Sequence, residues 1–241
     1  MASGSTYGII KVWDVDDGVI LHTLTGHNGD IYSLTFAPDS KTLASGSVDR
    51  TIRLWNIKDG TETSLAQGHI DSVVSVDFSP DGTELVSGSR DNTIKIWNLI
   101  NSKLILARTI TGHNNEVLSV QFSPDGKYLG SGSDDQTVKL WDRYNDYSLV
   151  ETFIGHSAAV KAIDFSMDSK KIASASTDNS IRIWGTACAP GNYGTHQNCT
   201  LCEPGTYSNE RGMKSCNPCN PGEFQRYAGE EYCEPCAAGK F

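Results

Sequence analysis

The sequence predicts an all-β protein in two parts: a run of repeated four-stranded units, followed by a small disulfide-rich extended region. Three observations predict this. Five tryptophans recur at nearly constant intervals, the segments between them alternate in apolar character like strands, and all seven cysteines fall after residue 187.

The tryptophans are Trp13, Trp55, Trp97, Trp141 and Trp184, spaced by 42, 42, 44 and 43 residues. A Gly-His pair recurs with them, ending at His27, His69, His113 and His156, and each histidine precedes the next tryptophan by 28 residues. The interval from a tryptophan to the next Gly-His glycine varies between 13 and 15. A constant segment with a variable connection describes one supersecondary unit joined by surface loops.

Within the constant segment, "IYSLTF", "VVSVDF", "VLSVQF" and "VKAIDF" alternate with period two and read as buried first strands. Turns follow at "APDSK", "SPDGT", "SPDGK" and "SMDSK", where Pro, Asp and Gly suit a tight hairpin. The second strands, "TLASGS", "ELVSGS", "YLGSGS" and "KIASAS", are built of small residues that let adjacent layers approach. A second turn carries Asp49, Asp91, Asp135 or Asp178, and a third strand ends at the tryptophan. A fourth, weakly patterned strand fits before the next Gly-His. Four antiparallel strands in about 43 residues cannot bury both faces alone, so the units must stack.

This pattern resembles the WD-repeat family of β-propellers, over residues 1–184. The resemblance implies a polar network in each blade, joining the Gly-His imidazole, a strand serine, the turn aspartate and the indole N–H. The matching positions are His27, Ser45, Asp49 and Trp55; His69, Ser87, Asp91 and Trp97; His113, Ser131, Asp135 and Trp141; and His156, Ser174, Asp178 and Trp184. Such partners are physically required, because a buried polar group left unpaired costs about 1–3 kcal/mol. Histidines so partnered, in separate blades, read as structural rather than as metal ligands or general bases.

Setting Trp13 on Trp55 places Met1 on Leu43 and Tyr7 where the turn aspartate belongs, with no Gly-His before it. The first unit thus offers strands two to four, and the last, which runs into cysteines after Trp184, offers strands one to three. The expectation is a partial propeller over 1–185: three full blades across roughly 31–152 and two partial ones. This reads as an open arc or a fragment, expected to be weakly stable or to self-associate through its open ends.

From Cys188 the composition changes. Residues 186–241 hold seven cysteines and almost no aliphatic side chains, too little for a core without covalent staples. A new period of 17 appears: Cys199, Cys216 and Cys233 form one series, and Cys202, Cys219 and Cys236 another. "PGNY", "PGTY", "PGEF" and "AGKF" keep step with it. Two chemistries fit C-x2-C-x13-C-x2-C, a four-cysteine zinc site and a disulfide ladder. Three pairs and an odd count favour the ladder, with no metal. It would link Cys188–Cys199, Cys202–Cys216 and Cys219–Cys233 and leave Cys236 unpaired here, although spacing alone does not prove connectivity. This region resembles ephrin-receptor-like cysteine-rich repeats, above all in "CEPGTYSNERGMKSCNPCNPGEF". That resemblance implies an elongated extracellular spacer.

Function is read from what is present and what is missing. The formal charge of −9 argues against nucleic acid, whose phosphates reward clusters of Lys and Arg. No run of 18 apolar residues marks a membrane span, and the N-terminus lacks the basic and apolar regions of a secretory leader. No phosphate loop, nucleophile elbow or HExxH occurs, so no enzyme activity and no cofactor are expected. The expectation is a non-catalytic scaffold that binds proteins or peptides through the propeller face. The residues placed there are Val48, Arg50, Arg90, Asn92, Asp134, Gln136, Thr177 and Asn179 at the second turns, and Tyr32, Val74, Leu118 and Lys161 at the inner-strand rim. The alternatives are a piece of a large extracellular or membrane-anchored structural or receptor-like protein, and a non-catalytic appendage of an enzyme. The compartment stays open: the propeller alone suggests the cell interior, the cysteines an oxidising space.

Overall fold

The structure is a computed structural model. It describes residues 1–185, 192–195, 198–209, 213, 215–221 and 223–235, with only the backbone of 192–195 and 198–199. The described residues contain strands and turns and no helix. They divide into two compact units, Met1–Ser169 with Ala173–Arg182, and Lys170–Ile172 with Ile183–Phe241.

Five antiparallel sheets follow one another along the chain. The first holds β1 (Ala2–Gly4), β2 (Ile10–Trp13) and β3 (Ile20–Leu24). The second holds β4 (Ile31–Phe36), β5 (Thr42–Ser47), β6 (Thr51–Asn56) and β7 (Thr61–Gln67). The third holds β8 (Val73–Phe78), β9 (Glu84–Ser89), β10 (Ile94–Ile100) and β11 (Lys103–Ile110). The fourth holds β12 (Val117–Phe122), β13 (Tyr128–Ser133), β14 (Thr137–Asp142) and β15 (Ser148–Ile154). The fifth holds β16 (Val160–Phe165), β17 (Lys171–Ser176) and β18 (Ile181–Gly185). Three full blades thus lie between two partial ones. From the second blade on, the third strands run past their tryptophans, and β10 continues to Ile100. There Asn101 and Ser102, at φ 50° and 59°, make the two-residue left-handed turn that hairpins favour.

The core sits between blades. Ala44, Ile52, Leu54 and Ala66 of the second blade meet Val76, Phe78, Leu85 and Trp97 of the third. Val86, Ile94, Ile96 and Ile110 of the third meet Val120, Phe122, Leu129 and Trp141 of the fourth. Each Val, Leu, Ile or Phe among them contributes about 1.5–3 kcal/mol by leaving water. Close approach explains the small residues of the second strands. A Cβ on Gly88 would lie 2.9 Å from Val117 Cγ1, and one on Gly132 would lie 2.8 Å from Val160 Cγ1.

Two bulges recur in each full blade. The first strand jumps register, from Ile31↔Ser47 to Ser33↔Gly46, from Val73↔Ser89 to Ser75↔Gly88, and from Val117↔Ser133 to Ser119↔Gly132. The fourth strand jumps opposite the tryptophan, at Leu54/Trp55, Ile96/Trp97 and Leu140/Trp141. A bulge on the outer strand interrupts an edge that would otherwise template pairing with another chain.

In the cysteine-rich part, β19 (Asn192–Thr195) pairs with β20 (Asn198–Leu201). Next, β21 (Thr206–Tyr207) pairs with β22 (Asn217–Pro218), and β23 (Glu223–Phe224) with β24 (Glu234–Pro235). The last two hairpins are offset by 17 residues, the sequence period. Disulfides join Cys202–Cys216 and Cys219–Cys233, each with Cα atoms 5.7 Å apart. In the structure those four thiols are bridged in pairs. Cys188, Cys236 and the side chain of Cys199 lie outside the described residues. Successive loops are also tied by backbone hydrogen bonds, Cys219 N–H to Gly205 O at 3.0 Å and Gly229 N–H to Cys202 O at 2.9 Å.

Candidate functional site

Each full blade brings its four network residues together. In the second, His27 Nδ1 lies 2.8 Å from Asp49 Oδ2 and Nε2 lies 2.7 Å from Ser45 Oγ, while Trp55 Nε1 donates to the same Oγ at 2.8 Å. The third repeats this with His69, Asp91, Ser87 and Trp97 at 2.7, 2.7 and 2.8 Å. The fourth repeats it with His113, Asp135, Ser131 and Trp141 at 2.8, 2.7 and 2.9 Å. In the fifth, His156 lies 2.7 Å from Asp178 and 2.8 Å from Ser174. Trp184 is half-buried on β18. The first blade has only the remaining pair, Trp13 Nε1 to Ser3 Oγ at 2.8 Å, and Tyr7 is exposed.

The proton arrangement follows from the partners. Burial pushes the His27 and His69 imidazoles below their ordinary value, more than the neighbouring Asp49 and Asp91 raise them, which favours the neutral rings. Nδ1–H then donates to the carboxylate, and Nε2 accepts from the serine hydroxyl, which itself accepts from the indole. Burial opposes ionisation of Asp49, but hydrogen bonds from Thr51, the Asn28 N–H and His27 outweigh it and hold the carboxyl at about 2. Burial also opposes ionisation of Asp91, where His69 and Thr93 win by the same means.

The connectivity is that of a Ser-His-Asp triad, yet its setting is unsuited to nucleophilic attack. Ser45, Ser87 and Ser131 are 0% exposed, and each hydroxyl oxygen already accepts the indole hydrogen bond. The arrangement pins strand to loop. Ser47, two residues beyond Ser45, bonds to the loops instead, accepting from Asp49 N–H at 3.1 Å and donating to Gly29 O at 3.1 Å.

Several functional polar groups escaped the sequence reading. A fifth member, a second hydroxyl, joins each of these four networks: Thr51, Thr93, Thr137 and Ser180 each donate to the aspartate Oδ1 at 2.6 Å. Its signal is a hydroxyl two residues after each turn aspartate. Serines on the first strands stitch blade to blade. Ser33 Oγ accepts from Val76 N–H, Ser75 Oγ from Val120 N–H and Ser119 Oγ from Ile163 N–H, all at 3.1 Å. Two residues on, Asp77 accepts from Phe122 N–H and Gln121 from Phe165 N–H, both at 2.9 Å. Burial raises the Asp77 carboxyl to about 6 despite hydrogen bonds from Phe122, Phe78 and Thr35.

The residues expected at the partner-binding face are placed as follows. Tyr32, Val74 and Leu118 are the unpaired bulge residues of β4, β8 and β12, where the extra residue turns the side chain out of the ladder. Tyr32 is exposed, Val74 and Leu118 are half-buried, and Lys161 is exposed on β16. At the second-turn tips, Arg50, Arg90, Asn92, Gln136, Thr177 and Asn179 are exposed, whereas Val48 and Asp134 are half-buried. Arg50, Asn92, Gln136 and Asn179 all take left-handed conformations, φ 65° to 72°. The tips are pinned beside the first strands, with Val48 N–H on Asp30 O and Arg90 N–H on Ser72 O. Three blades meet there. Arg90 donates to Tyr32 Oη at 3.2 Å, stacks 5.4 Å from its ring centre and reaches Glu116 at 3.5 Å. Asn115 bonds Asp134 at 2.5 Å alongside.

Among the described residues, no helix is long and apolar enough to cross a membrane, and no group of three or more His, Cys, Asp or Glu is placed to hold a metal ion. Comparison with known proteins gives mouse F-box-like/WD repeat-containing protein TBL1X, 46% identical over 41 residues, which cover 17% of this chain and 8% of that protein. Human F-box-like/WD repeat-containing protein TBL1Y is 44% identical over 41 residues, with the same coverage. The chain thus spans less than a tenth of the length of these relatives. The profile of the family described as WD domain, G-beta repeat matches residues 18–56, 60–98, 105–142 and 147–185, one match for each of four tryptophan-terminated units. With more than half its length matched, the chain belongs to the WD-repeat family.

Proposed function

We propose that the protein is a non-catalytic scaffold that binds other proteins or peptides through the blade face bearing Tyr32, Val74, Leu118, Lys161, Val48, Arg50, Arg90 and Asp134. The reading is carried by one observation: bulges in the first strands turn differing side chains outward while the frame beneath them repeats nearly unchanged. A rigid frame with variable exposed positions suits recognition. In this reading the histidine networks hold the face in shape. The test compares proteins retained by the wild-type chain, by Arg90→Glu and by Tyr144→Ala, an exposed residue elsewhere. Arg90→Glu is expected to lose bound proteins that Tyr144→Ala keeps. Equal retention by all three would remove the assignment.

The two disulfides favour a second reading, a piece of an extracellular or receptor-like structural protein in which the region from 186 onward is an ephrin-receptor-like spacer. Mass measurement of the natural chain with thiols blocked before and after reduction tests it. Free thiols at Cys202, Cys216, Cys219 and Cys233 would sink it.

A further inference from the structure

The loop closed by Cys219–Cys233 carries a cavity of about 260 Å³, with Phe224, Tyr227 and Tyr232 along it and Glu230 and Glu234 beside them. We infer that this cavity is a binding site for an organic cation of the quaternary ammonium class. The site goes beyond the scaffold reading and does not depend on it.

The chemistry of the lining selects the charge. Aromatic faces carry negative potential, and a cation over them gains most when it sheds little hydration. Two carboxylates add to that potential, and no lysine lines the cavity. The one cationic lining residue, Arg226, lies with its guanidinium 5.9 Å from the Phe224 ring, so the chain already places a cation against one aromatic wall. The other two rings, Tyr227 and Tyr232, are each 64% exposed.

The lining also selects the kind of cation. A calcium-type ion needs six or more oxygen ligands, and no metal-holding cluster exists among the described residues. A quaternary ammonium has no N–H to satisfy and matches a lining that combines three aromatic rings with two carboxylates. The loop is held in place beforehand, which limits the ordering cost of binding. Besides its disulfide, buried Gln225 receives the Gly205 N–H of the preceding loop through both its backbone oxygen and Oε1, at 3.0 Å each.

The experiment titrates the intact, oxidised chain with choline at constant ionic strength, followed by ligand-observed NMR. Its uncharged analogue, with carbon in place of the ammonium nitrogen, is run in parallel. Choline is expected to bind saturably and the analogue not to. Tyr227→Leu and Tyr232→Leu are each expected to weaken choline about two- to fivefold. Glu230→Gln and Glu234→Gln, which keep the side-chain shape, are expected to weaken it as well. Non-reducing mass confirms that every variant keeps both disulfides. Absence of saturation, equal binding of the analogue, or tyrosine variants that bind choline like wild type would each overturn the site.

Discussion

The third blade, β8 to β11, buries Val73, Val76, Phe78, Leu85, Val86, Ile94, Ile96 and Trp97 within about 38 residues. From 198 to 235, the described side chains that are buried are Cys202, Ser208 and Gln225. The blade is therefore held by apolar area and by polar groups that satisfy one another across strands. Among its described residues the cysteine-rich part has no comparable area and is closed by two disulfides. One chain thus shows two solutions to the entropy of ordering a backbone: gain elsewhere in the native state, or restriction of the unfolded one.

Reduction is the strongest way to separate the two solutions. Each disulfide closes a loop of about 15 residues, worth roughly 3 kcal/mol in the chain-entropy model. Removing both takes about 6 kcal/mol from a part with little else. Hydrogen exchange after reduction is expected to lose protection across 202–235 and to leave 31–154 unchanged. Loss of protection in both would show that the blades depend on the staples.

The converse break is Asp91→Ala. It leaves the buried His69 Nδ1–H and the Thr93 hydroxyl without their acceptor, at a cost of roughly 3 kcal/mol. Denaturant unfolding followed by tryptophan fluorescence is expected to shift accordingly, with both disulfides intact. A loss under about 0.5 kcal/mol would mean that apolar packing alone holds the blade.

The finest test concerns charge inside the blades. The Asp77 carboxyl rises to about 6 from 3.8, so between those values the native state keeps a proton that the unfolded chain has lost. Its contribution is fully present below pH 3.8 and is lost as pH rises through 6, by up to about 3 kcal/mol. Asp49 and Asp91, held below 3.8, have the opposite sign: their contribution is present above pH 3.8 and is lost as pH falls below it. Asp77→Asn is expected to match wild type near pH 4 and to equal or exceed it at pH 7. Gln121 already shows a neutral amide accepting the equivalent N–H in the next blade. Urea unfolding at both pH values checks this, and a variant weaker than wild type at pH 7 only would refute it.

Much of the frame was legible because period two marks a strand wherever one face is buried, and because Gly-His, Asp and Trp recur at fixed separations. Other features were not. Ser45 and Ser47 point to the same side of β5, so spacing alone cannot choose between them; the choice depends on where Trp55 and His27 converge. The bulges at Tyr32, Val74 and Leu118 leave the composition of a strand unchanged and appear only when two strands are paired. The serines at 33, 75 and 119 bond to backbone about 43 to 45 residues away, in the next blade, and no local pattern announces them.

The order of residues therefore dictated what depends on local chemistry and repetition: the strands, the turns at Asp and Gly, the blade as a unit and the cysteine period. Which hydroxyl meets which imidazole and which side chain is turned outward were set by strand pairing within a blade, and which carboxylate lies at a seam by packing between blades. Those outcomes depend on distances between strands remote in sequence, and a pattern of residue types does not carry distances.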